Sequence, residues 1–268
     1  HDPTRLLQDA ARIGNRHLIE EAMARGAIIN SHDVQGRSPL ISALQMRKLP
    51  VILLLLEHGA DPNFVDNTGR PPLFYALESQ EASVVAQLIR HGANPEQCDT
   101  ELNTCWHIAV RLGKVNLCEL LLHARHLINA PNQNGTTPVH LVCNENDDVE
   151  MFEWLVAHGA NVDLPVPPNG ESLASVAARL NRPGILRLIA HFGHPSDEVD
   201  GSRRTPLIHA VTQENSAAVA MLLHLGADVH KMTFSGSALE LAEQQLAVQH
   251  TATRETIVDM LREHSVIV

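Results

Sequence analysis

Apolar residues along this chain recur in short blocks with helical spacing, and one block shows the pattern clearly. Downstream of Gly36, the residues Leu40, Ala43 and Leu44 follow one another at intervals of three and one. That spacing places them on one face of a helix. A few polar residues later, the apolar run Val51–Leu56 predicts a second, more deeply buried helix.

Start and stop signals bracket both helices of this block. Ser38 can cap the first helix, whose first turn holds Pro39. The second helix is predicted to begin near Pro50 and to end just before Gly59, because glycine adopts the left-handed backbone that closes a helix. The following residues, up to about Asp66, are predicted to form an extended loop, here called a finger.

The helix-closing glycine recurs at a nearly constant interval. Its positions are separated by 33, 33, about two times 33, 34 and 33 residues, and they are Gly26, Gly59, Gly92, Gly159, Gly193 and Gly226. A second motif keeps the same phase and reads GRSPLISAL, GRPPLFYAL, NTCWHIAV, GTTPVHLVC and RTPLIHAV. One such unit cannot bury its helix faces alone, whereas stacked neighbours share a continuous core.

A period of 33 carrying T-P-L-H-x-A and G-A-D-x-N resembles the ankyrin repeat, over essentially the whole chain. The resemblance implies an all-α fold, an ankyrin-repeat solenoid of about eight helix–turn–helix units with short β-hairpin-like fingers. It also implies a single domain over residues 1–268, closed by a degenerate capping unit in which the insert HTATR separates two helices. The expected units are 4–34, 35–67, 68–100, 101–133, 134–168, 169–201, 202–234 and 235–268.

Composition narrows the function classes. The 268 residues are 44% apolar but only 3% aromatic, and the net charge is −11. Nucleic acid and anionic membranes attract clustered Lys and Arg, so neither is an expected partner. The longest apolar run, Val51–Leu56, is too short to span a bilayer, and no secretory leader is visible. The chain starts at His1, which favours a piece of a longer protein, expected to be monomeric.

The histidines and aspartates of the repeat are predicted to be structural. Each histidine near a closing glycine can donate to the last helical carbonyls, and His107 and His140 are predicted to hydrogen-bond near Thr104 and Thr137. Equivalent positions in adjacent units are roughly 8–10 Å apart, too far to share one metal ion. The histidines expected at helix ends are His58, His91, His123, His158, His191 and His224, and the aspartates expected to stabilise turns are Asp33, Asp66 and Asp99, with Asn132 continuing the series.

Neither cysteine spacing nor any catalytic motif points to an enzyme. The four cysteines contain no CxxC pair and are expected to be free thiols in the cytoplasm, with the nucleus as the alternative. The sequence has no nucleophile elbow, phosphate loop or HExxH pattern. Ser, His and Asp are abundant enough that a chance triad stays open. We therefore predict no catalytic residue, metal or cofactor.

The resemblance implies that a partner lies across a concave side formed by finger tips and the exposed side of the first helices. Seven of the residues counted onto this side are arginines, so its field is expected to be less negative than the chain as a whole or even positive. Arg and Met are favoured at interfaces, and a partner segment with apolar anchors and acidic flanks would fit. The bland alternative is that the arginines are merely solvated and the apolar residues pack on the next unit. The candidates are Arg12, Ile13, Arg37, Gln45, Met46, Arg70, Glu78, Arg111, Leu112, Arg179, Leu180, Arg203 and Arg204. Trp106 and Trp154 fall on inward helix positions and are expected in the core.

Two stretches break the repeat. Arg125 stands where the closing glycine is expected, so the helix end there should differ. Residues 144–172 combine an acidic insertion, predicted to lengthen the link between two helices, with the prolines Pro165, Pro167 and Pro168, which cannot donate finger hydrogen bonds. This segment is predicted to be either a tolerated loop or a hinge or binding insertion.

The sequence therefore predicts a non-catalytic protein–protein interaction module that acts as a scaffold or adaptor. Two alternatives stay open. The chain could recruit substrate for a larger enzyme or ubiquitin-ligase assembly, or it could be the cytoplasmic ankyrin region of a membrane channel.

Overall fold

The computed structural model describes residues 2–145, 147–194 and 197–266, which contain sixteen α-helices and one 3-10 helix. The helices pair along the chain, two to each of the eight predicted repeats, so the predicted all-α succession of helix–turn–helix repeats is confirmed. Two isolated antiparallel bridges, Val166–Glu171 and Thr233–Gly236, lie in fingers. The chain separates into two compact units, residues 1–133 and 134–268, and the single domain over 1–268 stays a prediction.

In the first unit, the first and second helices of each pair form two layers. The first helices α1, α3, α5 and α7 contact one another in that order, and the second helices α2, α4, α6 and α8 do the same. The apolar faces between the layers form the core, in which Trp106 and Phe74 are fully buried. The bounds are α1 Pro3–Ile13, α2 Arg16–Ala24, α3 Pro39–Gln45, α4 Leu49–Glu57, α5 Pro72–Ser79, α6 Ala82–Arg90, α7 Cys105–Arg111, α8 Val115–Leu120 and the 3-10 helix Leu122–Leu127.

The second unit repeats this arrangement. Its first helices α9, α11, α13 and α15 contact in succession, and so do α10, α12, α14 and α16. The bounds are α9 Pro138–Glu145, α10 Val149–Ala157, α11 Leu173–Arg179, α12 Pro183–His191, α13 Pro206–Thr212, α14 Ser216–His224, α15 Ala238–Val248 and α16 Ala252–Ser265.

The predicted start and stop signals work as expected in the second predicted repeat. The Ser38 hydroxyl accepts a hydrogen bond from the Ile41 backbone amide at 3.2 Å and caps α3. Helix α4 ends at Glu57, and Gly59 follows with a φ of 84°.

Where Arg125 replaces glycine, the helix end does differ, as predicted. Instead of a left-handed closing residue, the chain continues after α8 as the 3-10 helix Leu122–Leu127. Ala124 lies inside it with non-helical angles, φ −104° and ψ 29°. The tighter turn avoids placing an arginine side chain in the left-handed region.

Three details of the prediction are wrong. The acidic insertion does not lengthen its link, since residues 146–148 separate α9 from α10 just as 46–48 separate α3 from α4, although Asn146 lies outside the described residues. The insert HTATR is mostly helical, because Thr251 caps α16. Trp154 is only half-buried and stacks on His158 with ring centroids 3.9 Å apart. In the proline-rich finger, Val166 still donates to the Glu171 carbonyl at 2.8 Å.

Candidate functional site

Several fingers, those that begin at Asp33, Asp66, Asp99 and Asp200, are held by a carboxylate at the base. Asp66 Oδ1 accepts hydrogen bonds from the Thr68 amide (2.8 Å), the Thr68 hydroxyl (2.7 Å) and the Arg70 amide (3.0 Å). Its other oxygen accepts the Tyr75 hydroxyl at 2.5 Å. The turn-stabilising role predicted for Asp33, Asp66 and Asp99 is confirmed, because Asp33 and Asp99 bind the amides two and four residues ahead in the same way. Asp200, which was not predicted, repeats the pattern.

These bonds also fix the charge of the finger. Burial by itself raises the pKa of Asp66, but the hydrogen bonds from Tyr75 and Thr68 outweigh it and hold the pKa below its usual value. The pKa of Asp33 is lowered in the same way, against burial, by hydrogen bonds from Arg37 and Gln35. The Asp66 and Asp33 carboxylates are therefore anionic at neutral pH.

The two predicted series of candidates, one on fingers and one on first helices, meet as pairs. Arg37 Nη1 donates to Gln45 Oε1 at 2.8 Å, eight residues further along the chain. Arg70 forms an ion pair with Glu78 at the same spacing. We call the surface formed in the first unit by these positions the finger–helix surface; it consists of Arg12, Ile13, Arg37, Gln45, Met46, Arg70, Glu78, Arg111 and Leu112.

Carboxylates accompany most of its arginines. Arg12 lies 2.9 Å from Asp9, and Arg37 lies 2.7 Å from Asp33. The guanidinium of Arg70 also lies over the Tyr75 ring, 4.6 Å from its centroid. These acidic partners offset much of the positive field that the arginines alone would produce.

The apolar candidates differ in exposure. Ile13 and Met46 are 63% and 47% exposed, so neither is needed for the core, whereas Leu112 is half-buried against its neighbours. Arg111 and Arg70 line an open cleft of about 420 Å³ together with Glu78, Asp99 and Glu101.

In the second unit, Arg179 contacts Glu171 at 3.1 Å, which repeats the eight-residue pairing with the charges reversed. Leu180 is half-buried. Arg204 donates its backbone amide to Asp200, and Arg203 lies over the Phe234 ring. Phe234 was not among the predicted candidates, although it occupies the finger position of Val34 six repeat lengths earlier.

Three of the histidines predicted at helix ends bind backbone carbonyls. Nδ1 of His58, His91 and His158 donates to the carbonyl four residues earlier, at 2.8, 2.8 and 2.7 Å. The capping prediction is confirmed for these three, while His191 instead lies edge-on against Phe192.

The two buried histidines of the T-P-L-H position also behave as predicted. The Thr104 amide donates to Nδ1 of His107 at 3.1 Å, and the Thr137 amide donates to Nδ1 of His140 at 3.2 Å. Nε2 of His140 then donates to the Leu164 carbonyl at 3.2 Å. The His140 ring therefore joins a helix start to a neighbouring loop.

One Ser, His and Asp cluster does occur, but its geometry is not that of a catalytic triad. Nε2 of His209 faces both Asp200 Oδ2 at 3.0 Å and Ser202 Oγ at 3.2 Å. The serine hydroxyl itself donates to Asp200 Oδ1 at 2.6 Å. A triad needs the nucleophile and the carboxylate on opposite ring nitrogens, so this cluster does not activate a nucleophile.

The described residues offer neither a cluster of metal ligands nor, at the three buried cysteines, a reactive thiol. Within residues 2–145, 147–194 and 197–266, no group of three or more His, Cys, Asp or Glu side chains could hold a metal ion. Burial raises the pKa of Cys105, Cys118 and Cys143 to about 12, so these thiols are poor nucleophiles. None of the helices in the described part of the chain combines the length and apolar character needed to cross a bilayer.

A family model of ankyrin repeats (three copies) matches residues 6–99, 54–132, 106–200 and 150–233. These matches cover most of the chain, and the chain therefore belongs to the ankyrin-repeat family. Ankyrin repeats are generally protein–protein interaction modules, and the family is typically non-catalytic.

Three relatives illustrate the range of proteins that carry similar repeats. The mouse B-cell lymphoma 3 protein homolog is 33% identical over 138 residues, covering 49% of this chain and 30% of the mouse protein. The chicken nuclear factor NF-kappa-B p105 subunit is 30% identical over 135 residues, covering 49% of this chain and 14% of that protein. The Drosophila melanogaster transient receptor potential cation channel subfamily A member 1 is 28% identical over 138 residues, covering 48% and 11%. The chain thus spans less than a third of each of these relatives.

Proposed function

We propose that this chain is a non-catalytic scaffold or adaptor that binds a peptide or folded protein partner on its finger–helix surface, in the cytoplasm. The observation that supports the proposal is the pairing of finger and first-helix side chains, with Ile13 and Met46 exposed beside them. The partner we propose presents apolar anchors with acidic flanks.

Binding would exploit arginines that are already positioned. Arg37 and Arg70 are held by Asp33 and Glu78, so little side-chain entropy is lost when a partner carboxylate joins or replaces those acids. Their guanidinium groups can hold a carboxylate with two parallel hydrogen bonds. Met46 offers a flexible apolar contact beside them.

The test is selection of random peptides, displayed on phage, against the immobilised chain. We expect enriched peptides to pair apolar residues with Asp or Glu. The triple variant Arg37→Glu, Arg70→Glu and Arg111→Glu should bind them at least about tenfold more weakly, because a few anchor contacts carry most of the affinity.

The matched control is Arg16→Glu, Arg25→Glu and Arg90→Glu, which makes the same change of charge on second helices or directly after one. This variant should bind like the parent, and circular dichroism should show equal helicity for both triples. Equal loss in both triples, or enrichment of basic peptides, would argue against this surface.

A second candidate is favoured by the similarity to the Drosophila channel. The chain would then be a cytoplasmic region that tethers a membrane protein to its partners. Sequencing the gene on both sides of the codons for residues 1–268 distinguishes the two candidates. The channel candidate requires membrane spans in the same open reading frame.

A further inference from the structure

The second unit carries an exposed apolar cluster at the tips of two neighbouring fingers. Val199, Met232 and Phe234 are 46%, 64% and 83% exposed. Together with Arg203 and Thr233 they line an open cleft of about 510 Å³. Large side chains are rarely left in water in such a group unless something covers them.

The finger that carries Phe234 is a tight turn. The Thr233 amide donates to the Gly236 carbonyl at 3.2 Å, and the Gly236 amide donates back to the Thr233 carbonyl at 3.1 Å. The Thr233 hydroxyl caps the same turn, accepting the Ser235 amide at 3.2 Å. Phe234 therefore projects from a backbone whose conformation is set without it.

The neighbouring finger holds Arg203 in an equally defined turn. The Arg203 amide donates to the Asp200 carbonyl at 2.8 Å, and the Asp200 amide donates to the Arg204 carbonyl at 3.0 Å. Arg203 has a φ of 61°, a left-handed conformation that disfavours a residue with a side chain. Glycine occupies the corresponding position in most fingers, at Gly36, Gly69, Gly135, Gly170 and Gly236.

Arg203 differs from the other finger arginines in its partner. Arg37 and Arg70 each contact a carboxylate, whereas Arg203 makes no ion pair with a residue in the described ranges 2–145, 147–194 and 197–266. Its guanidinium carbon lies 4.9 Å from the centroid of the Phe234 ring. Asp197, six residues before Arg203 in the chain, lies 3.8 Å from the Lys231 ammonium.

We propose that this cleft binds a segment of a partner protein in which an apolar side chain stands beside an Asp or Glu side chain. The apolar side chain covers Val199, Met232 and Phe234. The carboxylate accepts hydrogen bonds from the edge of the Arg203 guanidinium, while the face of that guanidinium stays on the Phe234 ring. The inference rests on the proposed peptide-binding role but uses no residue of the finger–helix surface, so either can fail alone.

Charge complementarity is the argument for this occupant. A guanidinium that forms no ion pair within the described part of the chain, on the rim of an apolar cleft, favours an anionic neighbour of the apolar group and disfavours a cationic one. The fixed turns on both sides reduce the ordering that binding requires.

The same phage selection tests the cleft, because peptides joined to the coat protein at their C-terminus offer side-chain carboxylates only. Enriched peptides are synthesised with an amidated C-terminus and titrated against the whole chain by fluorescence anisotropy. For those that carry an apolar residue beside Asp or Glu, the variant with Met232→Ser and Phe234→Ser should bind about tenfold or more weakly.

Two further variants separate the cleft from the fold. Arg203→Gly supplies the residue that most other fingers have, so the turn is kept while the cation is lost, and binding should again fall about tenfold. Val34→Ser is the matched control, since Val34 has the finger position of Phe234 in the first unit and is 95% exposed. It should bind the peptides as the parent does.

Several outcomes would overturn the proposal. One is that every enriched peptide binds the Met232→Ser, Phe234→Ser variant normally, including the case in which only the Arg37, Arg70 and Arg111 triple loses binding. Another is selection of basic peptides for the cleft. A third is concentration-dependent dimerisation in sedimentation velocity that Phe234→Ser abolishes, which would assign the cleft to a second copy of this chain.

Discussion

The two compact units use the same finger carboxylate but give it different partners on the first helix. In the first unit, Asp66 accepts a hydrogen bond from Tyr75, nine residues ahead, at 2.5 Å. In the second, Asp200 faces His209, also nine residues ahead, at 3.0 Å. One position of the repeat therefore holds a phenol in one unit and an imidazole in the other.

The difference determines how each unit responds to pH. Burial, reinforced by Asp66, raises the pKa of Tyr75 to about 12, so the phenol stays neutral throughout the physiological range. Burial lowers the pKa of His209, and it outweighs the opposing attraction of Asp200 and Glu171. The same backbone turn can thus hold a hydrogen bond whose donor stays neutral, as at Tyr75, or one whose partner changes charge with pH, as at His209.

The strongest way to break the comparison is to remove the shared acceptor. Asp66→Ala leaves the Thr68 and Arg70 amides and the buried Tyr75 hydroxyl without their acceptor, and we expect a loss of about 3 kcal/mol in the free energy of unfolding. Urea denaturation of the whole chain measures it. Asp200→Ala should cost a similar amount, and a loss under about 1 kcal/mol for either would contradict the acceptor role.

The pH difference itself can be tested through His209. Because its folded pKa lies below the unfolded value of 6.5, the unfolded chain binds the proton more readily, and stability is lost as the pH falls below 6.5. The slope should reach at most about 1.4 kcal/mol per pH unit. Denaturation of the parent and of His209→Gln at pH 7.5 and 5.5 measures the contribution of His209 to this slope. The lowered pKa values of Asp66 and Asp200 do not interfere, because they affect stability only near and below pH 3.8.

His209→Gln should lose that slope, and Tyr75→Phe should keep it. If the histidine variant shows the same difference between the two pH values as the parent, the titrating bond is not at His209.

Each unit also has one finger whose left-handed position is not glycine, Leu102 with a φ of 60° and Arg203 with 61°. Leu102→Gly and Arg203→Gly should each stabilise the chain by about 1 kcal/mol, because the side chain no longer opposes the conformation. Leu102→Ala keeps a Cβ atom and should give no such gain. If only the Arg203→Gly variant also loses peptide binding, the two non-glycine fingers differ in function and not only in sequence.

The smallest expected difference lies in the helix-end histidines. His58→Ala removes one bond to the Leu54 carbonyl in the first unit and should cost about 0.5 kcal/mol. His158→Ala in the second unit also removes the stack on Trp154 and should cost about 1 kcal/mol. Thermal melts of both variants compare the two losses of stability. Equal losses would mean that the stack of His158 on Trp154 contributes nothing.

The sequence predicts the helices well where their signals are local. The second helix of the predicted repeat 35–67, expected from about Pro50, begins at Leu49, and its glycine-marked end was correct. Arg125 predicted only that its helix end would differ, because the shape that replaces a missing glycine depends on packing around Leu122–Leu127. Trp154 was misplaced because helix periodicity alone does not show how wide the buried face is.

The side-chain contacts of the proposed binding surfaces were less predictable. Counting repeat positions identified Arg37 and Arg70, but their contacts with Gln45 and Glu78 join a finger to a helix and depend on side-chain direction. Phe234, which lines the cleft proposed above, was not identified because the counting followed the first helices and one finger position, not the finger tip. Aligning the tips by the repeat length would have shown it beside Val34.

The finger carboxylates have one more consequence. Because Asp33 and its counterparts bind amides two and four residues ahead, the loop keeps its shape whatever side chain stands at the tip. Nature, or a protein engineer, could therefore diversify a tip position such as 34 freely, in the way that antibody loops vary on a constant framework.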